Sequence, residues 1–310
     1  MPELPEVETV VRDLRAAGIV GRSITRVSVS WARTVAEPTL SAFKRQLRGR
    51  RITAIERRAK YIVLRLDNGQ LLLVHLRMTG RLDVADESRQ RTPHEHVLVS
   101  LDDGRVLRYS DTRKFGRWYL VGEQPQRLAT LGPEPLSPAF RKSSFYAALQ
   151  QHKRMLKPLL LDQTFLAGLG NIYVDEALWA AQLHPCRRSD SLSTEEAALL
   201  HRTIRAVLRQ GIRSMGTTLG SGETNFYSVA GRRGRNRDGL KVFRRHGTPC
   251  PRCATRIERI VVGQRATHIC PNCQEDKDSG YPRSRGVAAS QDSGNDVTAR
   301  PPPRRKGRSH

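Results

Sequence analysis

The sequence predicts an α+β protein: an N-terminal antiparallel β-sandwich flanked by one helix, then a helical domain and a β-hairpin zinc finger. Three observations carry that prediction. Apolar residues alternate with period two between about residues 24 and 120, with Asx-Gly turns between the runs. The period changes to helical after a proline-rich break at 132–138. Two Cys-X-X-Cys pairs stand near residue 260.

The elements follow in order. Val7, Val10, Val11, Leu14 and Ile19 recur at helical spacing, Pro5 suits the first helical turn, and Gly18 and Gly21 suit its end, so a helix is predicted over 5–19. Strands follow at Ile24/Val27/Val29, at Ile62/Leu64/Leu66 before Asp67-Asn68-Gly69, and at Val97/Val99 before Asp102-Asp103-Gly104. Two stacked antiparallel sheets would use such strands, which sets a first domain over 1–132. Gly132-Pro133-Glu134-Pro135 and Ser137-Pro138 read as a linker into a helical domain, 133–215. Helices are predicted near 144–151, 153–160, 173–182 and 195–210, the last opened by the capping box Ser193-Thr194-Glu195-Glu196. Residues 216–241, rich in Gly and Arg, read as an exposed loop, 242–274 as the cysteine-bearing module, and 275–310 as a disordered basic tail without periodicity. No internal repeat is visible.

Charge narrows the function. The chain of 310 residues has 54 Lys plus Arg against 30 Asp plus Glu, a formal net charge of +24. Residues 274–310 hold eight basic and five acidic residues, so the tail explains only three of those surplus charges. A body this basic suits a polyanion, because neutralising phosphates releases condensed counterions. The longest apolar runs, such as Leu71 to Val74, fall far short of the roughly 18 residues that span a bilayer. The start, Met1-Pro2-Glu3-Leu4-Pro5-Glu6, lacks the basic and apolar regions of a secretion signal. These features lead us to expect a protein of the cytoplasm or nucleoid with no membrane partner, and a monomer is assumed.

Cys250-Pro251-Arg252-Cys253 and Cys270-Pro271-Asn272-Cys273 have the separation of a tetrahedral four-thiolate zinc site. Four thiolates leave no open coordination position, so one Zn2+ is expected in a structural role, folding a segment too short for its own core. Cys186 stands apart and reads as an inert, partly buried thiol. Between the knuckles, Ile257–Ile269 reads as a hairpin with Arg265 near its tip, suited either to a phosphate or to plain solvation.

The amino terminus offers a nucleophile. Removal of Met1 would leave Pro2 as a secondary amine with a reference pKa of about 7.7–8.0, so an appreciable fraction is unprotonated near neutrality. The helix that follows lowers that pKa further through its positive end. Glu3 and Glu6 stand beside it, able to shuttle protons or simply to complement the helix dipole.

Four separated motifs in order, MPELPEVETV (Met1–Val10), FLAGLGNIYVDEAL (Phe165–Leu178), the four-cysteine finger and GQRATHIC (Gly263–Cys270), closely resemble the bacterial formamidopyrimidine-DNA glycosylase branch of the Fpg/Nei family. The resemblance extends from residue 1 to about 274. It implies a helix-two-turn-helix element in the helical domain. It also implies an enzyme acting on double-stranded DNA that carries oxidised bases or abasic sites, a bifunctional glycosylase and lyase. On this reading Pro2 attacks C1′ of an extruded 8-oxoguanine or formamidopyrimidine nucleotide, and the Schiff base collapses by β- and δ-elimination. Glu3 handles protons, Lys60 contacts phosphate and assists catalysis, and Arg265 serves phosphate binding and the second elimination.

Flipping a base costs a few kcal/mol of unstacking and unpairing, and the vacated stack must be filled. The resemblance gives that task to Met78, Arg113 and Phe115. Taken singly, they read as a core filler, a surface charge and a strand residue. It places His75 and His94 near the DNA backbone, and Asn171 on a phosphate beside the glycine-rich Gly168-Leu169-Gly170 and a helix N-terminus. Lys153, Arg154 and Lys157 suit the same groove or solvation.

The match departs from the family at three points. The segment GSGETNFYSVAGRRGRNRDGLK (220–241), where the family has a loop closing over the flipped base, does not align. Ala254 replaces a glycine common after the second cysteine, and the tail exceeds the usual family end. Two rival readings follow: a Nei-type enzyme for oxidised pyrimidines, and a non-catalytic zinc-dependent DNA-binding protein, against which Pro2, Glu3 and Lys60 argue.

Overall fold

The computed structural model describes residues 2–276 except 221, 223, 224 and 230. The expected tail, 275–310, thus lies outside the described residues apart from Glu275 and Asp276. Helix α1 (Leu4–Ala16) leads into β1 (Ile24–Val29), β2 (Val35–Glu37), α2 (Leu40–Leu47), β3 (Ile52–Arg58), β4 (Tyr61–Leu66), β5 (Leu71–His75), β6 (Arg81–Asp86), β7 (Glu95–Leu101), β8 (Arg105–Ser110) and β9 (Arg117–Val121). One sheet has the order β1-β7-β8-β6 and the other β2-β9-β5-β4-β3. The Asx-Gly turns close the β4–β5 and β7–β8 hairpins as expected. Two differences appear. β2 runs parallel to β9 in an otherwise antiparallel arrangement, and α2, capped by Thr39, packs Phe43 and Leu47 into the sandwich.

The helical part comprises α3 (Gln126–Ala129), α4 (Lys142–Gln151), α5 (Leu156–Leu161), α6 (Asn171–Ala180) and α7 (Thr194–Arg213). The capping box of α7 forms, with Glu196 N donating to Ser193 Oγ and Ser193 N to the Glu196 carboxylate. Strands β10 (Glu258–Val262) and β11 (Arg265–Ile269) pair antiparallel, with Val262 opposite Arg265, so Arg265 stands at the hairpin's end as its spacing predicted.

Helix α1 belongs to two cores. Val7, Val10, Val11 and Leu14 sit among the residues packed between the sheets, whereas Leu4 packs with Leu166, Leu169, Tyr173 and Leu208 of the helical part. Burying apolar surface on both sides pins the first turn of α1, and the residues that precede it, at the seam. The segment after α7 is less exposed than its composition predicts: Thr217, Thr218, Ser228 and Val229 are buried, and Phe226 and Val229 pack on the sandwich core.

Candidate active site

Pro2 and Glu3 lie at that seam, and both are buried. Glu3 caps two helices. Its own backbone N–H donates to Glu6 Oε2 at 2.9 Å in the first turn of α1. Its carboxylate accepts from the backbone N–H groups of Ile172 (2.9 Å) and Tyr173 (3.3 Å), the unpaired donors at the start of α6. Gly168 and Gly170 make this approach feasible: a Cβ at Gly170 would collide with the Glu3 carboxyl, and one at Gly168, where φ is +92°, would lie 2.7 Å from Leu4 Cδ1. The glycines expected to admit a phosphate therefore admit the amino-terminal segment first.

Glu6 completes a buried polar cluster. Its Oε1 accepts from Tyr173 Oη at 2.8 Å and from Thr217 N at 2.7 Å, while Thr217 Oγ1 meets Tyr173 Oη and accepts from Asn236 Nδ2. Burial pushes the Glu3 carboxyl up from 4.5 to about 7, the Lys60 ammonium opposes the shift and Glu6 adds to it. The helix termini alone would pull it down, so desolvation and the second carboxylate win. A group poised there exchanges a proton readily at neutral pH. Lys60, buried in the β3–β4 turn, is pushed down by burial and by the nearby Arg265 and Arg77, while Glu3 and Glu6 hold it up. Glu3, Glu6, Lys60 and Arg265 are thus near enough for their charges to act on one another, and the buried Pro2 adjoins Glu3 in the chain.

The turn presenting Lys60 is itself anchored. Ala59 has φ +52°, a conformation that L residues rarely adopt. The Glu134 carboxylate holds it there, accepting from Ala59 N (2.5 Å), Arg57 Nη1 (2.7 Å) and Arg58 Nη1 (3.2 Å). Glu134, read in the sequence only as part of a linker, is thus a clamp on the turn that carries Lys60.

Lys157 corrects the expectation of a groove-lining cation. It is fully buried, donating to Asp175 Oδ1 at 2.6 Å and to the carbonyl of Ala266 at 3.1 Å, while Asp175 Oδ2 accepts from His268 N. Asn171 Nδ2 donates to the same carbonyl at 2.9 Å, so both side chains seat the hairpin residue next to Arg265.

The residues expected to face DNA divide. Met78 is 40% exposed and Phe115 47%, two of four large apolar side chains left in solvent among the described residues. Arg113 is exposed too and lies 4.7 Å over the Phe115 ring. An apolar side chain in water is unfavourable unless something else covers it, so the core-filler and strand readings of Met78 and Phe115 fail. His94 is exposed. His75 is buried edge-on to Tyr61, and burial, then Arg77 and Lys60, push its pKa down to about 3. Its Nδ1 accepts from Arg77 N at 3.0 Å, which leaves Nε2 as the proton carrier.

The Sγ atoms of Cys250, Cys253, Cys270 and Cys273 all lie within 4.8 Å of one another, with separations of 3.9 Å (250 to 273), 3.4 Å (253 to 270) and 3.4 Å (253 to 273). A zinc with Zn–S near 2.3 Å sets tetrahedral sulfur edges of about 3.8 Å, so the set fits one structural zinc ion. Ala254 takes φ +61°, the reason a glycine suits that place.

Comparison with known proteins follows the same division. Residues 1–118 match the formamidopyrimidine-DNA glycosylase N-terminal domain, 131–222 its H2TH domain, and 247–275 a zinc finger found in FPG and IleRS. The chain belongs to the formamidopyrimidine-DNA glycosylase family. It is 48% identical to the formamidopyrimidine-DNA glycosylase of Herpetosiphon aurantiacus over 88% of this chain and the whole of that one. It is 45% identical to that of Protochlamydia amoebophila over 89% of this chain and all of the relative. The MutM (Fpg) protein of Thermus thermophilus superposes with a TM-score of 0.80 at 39% identity, covering 89% of this chain and all of that structure. A mutant of the Lactococcus lactis FPG, in complex with DNA containing Fapy-dG, superposes with a TM-score of 0.82 at 37% identity over the same shares. The family places the chain among zinc-finger DNA glycosylases of repair. No helix among the described residues is long and apolar enough to cross a membrane.

Proposed function

We propose that this glycosylase excises oxidised purines, 8-oxoguanine and formamidopyrimidines, from duplex DNA and then cleaves the strand, with Pro2 as nucleophile. The observation that carries the reading is the buried Glu3 carboxylate, held near neutrality beside Pro2 with Lys60 opposite. Freed of Met1, the Pro2 nitrogen attacks C1′. The C1′–N bond to the base breaks, and its electron pair leaves with the base, which takes up a proton. The Pro2 nitrogen gives up its own proton, the C1′–O4′ bond then breaks with O4′ taking up a proton, and the ring-opened iminium that results is cationic, which suits a pocket lined by Glu3 and Glu6. Glu3, titrating near 7, takes and returns the sugar protons of the β- and δ-eliminations. Lys60 and the exposed Arg265 hold the phosphates that leave; His75 through Nε2, His94 and Asn171 contact the backbone. Met78, Arg113 and Phe115 fill the stack. The protein acts as a monomer in the bacterial cytoplasm, at the nucleoid.

The experiment is borohydride trapping on duplexes carrying 8-oxoguanine, thymine glycol or an abasic site. Strong trapping on 8-oxoguanine and abasic DNA is expected. A preference for thymine glycol would favour the oxidised-pyrimidine branch, and no trapping on any duplex would leave only binding.

A further inference from the structure

We infer that Asp111 is the positioning residue that locks the three DNA-facing loops into one rigid wedge. Each of those loops leaves or enters the same end of the four-stranded sheet. Ser110, the last residue of β8, pairs with Arg81 at the start of β6 and with Glu95 at the start of β7. The loop holding Met78 therefore feeds β6, the loop holding His94 feeds β7, and the loop holding Arg113 and Phe115 begins immediately after Ser110. Asp111 is the first residue of that third loop, and it is 1% exposed.

Its polar atoms bind all three loops. One carboxylate oxygen, Oδ1, accepts from the hydroxyl of Thr79, next to Met78, and from Arg113 N at 3.3 Å. The other, Oδ2, accepts from Gly116 N at 2.7 Å, next to Phe115, and from Tyr109 Oη at 3.2 Å. Its backbone N–H donates to the carbonyl of His94 at 3.0 Å, and its carbonyl meets His96 Nε2 at 2.9 Å. Arg113 N is also 3.2 Å from Thr79 Oγ1, which links the Met78 and Arg113 loops directly.

The arrangement resists relaxation on its own. Arg77, His94 and Lys114, one in each loop, have φ of +52°, +69° and +58°. Non-glycine residues in that region persist only where surrounding contacts fix them. Tyr109, edge-on to the buried Trp118, presents its hydroxyl between Gly80 and Gly116; a Cβ at Gly80 would come within 2.6 Å of it, and one at Gly116 would overlap it. An exposed Met or Phe has little packing to hold its rotamer or its backbone, and Arg113, which lies over the Phe115 ring, is itself exposed. The order that lets Met78 and Phe115 enter a base stack must come from behind them, and Asp111 is the group that touches every loop from that side.

An amide in place of the carboxylate inverts the logic. One of its two terminal atoms becomes a donor and faces either Gly116 N–H and Tyr109 O–H or Arg113 N–H and the Thr79 hydroxyl; the backbone N–H in each pair cannot reverse its polarity. Asp111→Asn keeps shape and volume while breaking part of the hub. Thr79→Val removes the link to the Met78 loop without adding bulk, and Thr79→Ser keeps the hydroxyl.

The test rests on the proposed function and is built to separate the two. Single-turnover excision of 8-oxoguanine paired in a duplex is compared with cleavage of an abasic site in single-stranded DNA, which needs no wedge. Melting temperature is recorded for every variant. Asp111→Asn and Thr79→Val are expected to lower the duplex-to-single-strand ratio by about tenfold, with single-strand cleavage within about threefold of wild type and Thr79→Ser restoring the ratio, since the flipping cost falls on the paired substrate alone. With 2-aminopurine beside the lesion, the fluorescence rise that reports wedge entry should slow by the same factor. Should Asp111→Asn fail to fold, Thr79→Val decides. Any folded member of that pair with an unchanged ratio, or with both substrates declining in step, overturns the assignment. Failure of the wild type to cut the 8-oxoguanine duplex would instead remove the functional reading.

Discussion

The corner around Glu3 and the edge around Met78 and Phe115 depart from ordinary burial in opposite directions. At the corner, carboxylates and an ammonium are taken out of water; at the edge, apolar side chains are put into it. Both arrangements are unfavourable in the free protein. The corner needs desolvation to bring a carboxyl near neutrality. On the proposed function, a nucleic acid stack covers the Met and Phe of the edge. In both, the unfavourable groups stand on thoroughly satisfied polar supports, Glu6 with Tyr173 and Thr217 in one place and Asp111 in the other.

The sharpest break between the regions is chemical. Pro2→Gly, or one residue left before Pro2, should reduce borohydride trapping by about a hundredfold or more while DNA binding stays within a few-fold, because covalent catalysis is lost and the DNA-facing surface is untouched. Trapping that survives an amino-terminal extension would remove Pro2 from its role.

Zinc comes next in size. Native protein should contain one zinc per chain, and Cys253→Ser should weaken lesion-DNA binding sharply, because the hairpin that carries Arg265 loses the metal that folds it. The sandwich with Glu3 should keep its fold, since the cysteine cluster packs with Val242, Ile257 and Trp179 and not with the sheets. Protein isolated without zinc and binding DNA normally would refute the arrangement.

What the sequence disclosed follows the same division. The cysteine spacing, the Asx-Gly hairpins, the α7 capping box and the amino-terminal helix are local, and the structure has them within a few residues of expectation. Helix α2 left a readable trace in Leu40, Phe43 and Leu47 after Thr39, but eight residues are too short for periodicity to stand out from the strands around them. Burial of Lys157 was illegible because its partner, Asp175, lies on another helix 18 residues away. Glu134 and Asp111 were illegible as supports for the same reason: the donors to Glu134 lie some 75 residues earlier, and Thr79 is 32 residues before Asp111. The loop 216–241 misled because Gly and Arg content reports exposure on average, whereas Arg81 stacks on Tyr227 and donates to Asn225 O, and Arg232 pairs with Asp13.

The edge should respond to substitution in a way the corner cannot. Replacing Met78, Arg113 and Phe115 together with alanine should lower excision from a paired 8-oxoguanine duplex by about ten- to thirtyfold and spare abasic cleavage, while the melting temperature moves by only a few degrees, because exposed side chains contribute little to stability. A core residue of that size would cost about 2–5 kcal/mol each on truncation and depress every substrate together. A large fall in melting temperature with an unchanged substrate ratio would put these side chains in the fold and not in the DNA.

The smallest effect is the one that isolates desolvation at the corner. Glu3 has its carboxyl raised from 4.5 to about 7 in the folded protein. The folded state therefore binds its proton more tightly than the unfolded chain, and the associated stability is complete below about pH 4.5 and lost as pH rises towards 7. Glu6, Lys60, Tyr173 and the α6 amides face the same carboxyl, so the raw pH dependence of unfolding mixes several groups. Glu3→Gln removes only the titration of residue 3. The difference in stability between Glu3→Gln and wild type should grow in favour of the variant between pH 5 and pH 8, by on the order of 2 kcal/mol at 1.36 kcal/mol per pKa unit, or roughly 5 °C in melting temperature for a protein of this size. The same substitution should abolish strand cleavage, so stability and activity move in opposite directions at one residue. A melting-temperature difference that stays flat across that pH range would mean that the Glu3 carboxyl is not desolvated in the free protein, and the contrast between a buried, tuned corner and an exposed edge would collapse to a difference of location only.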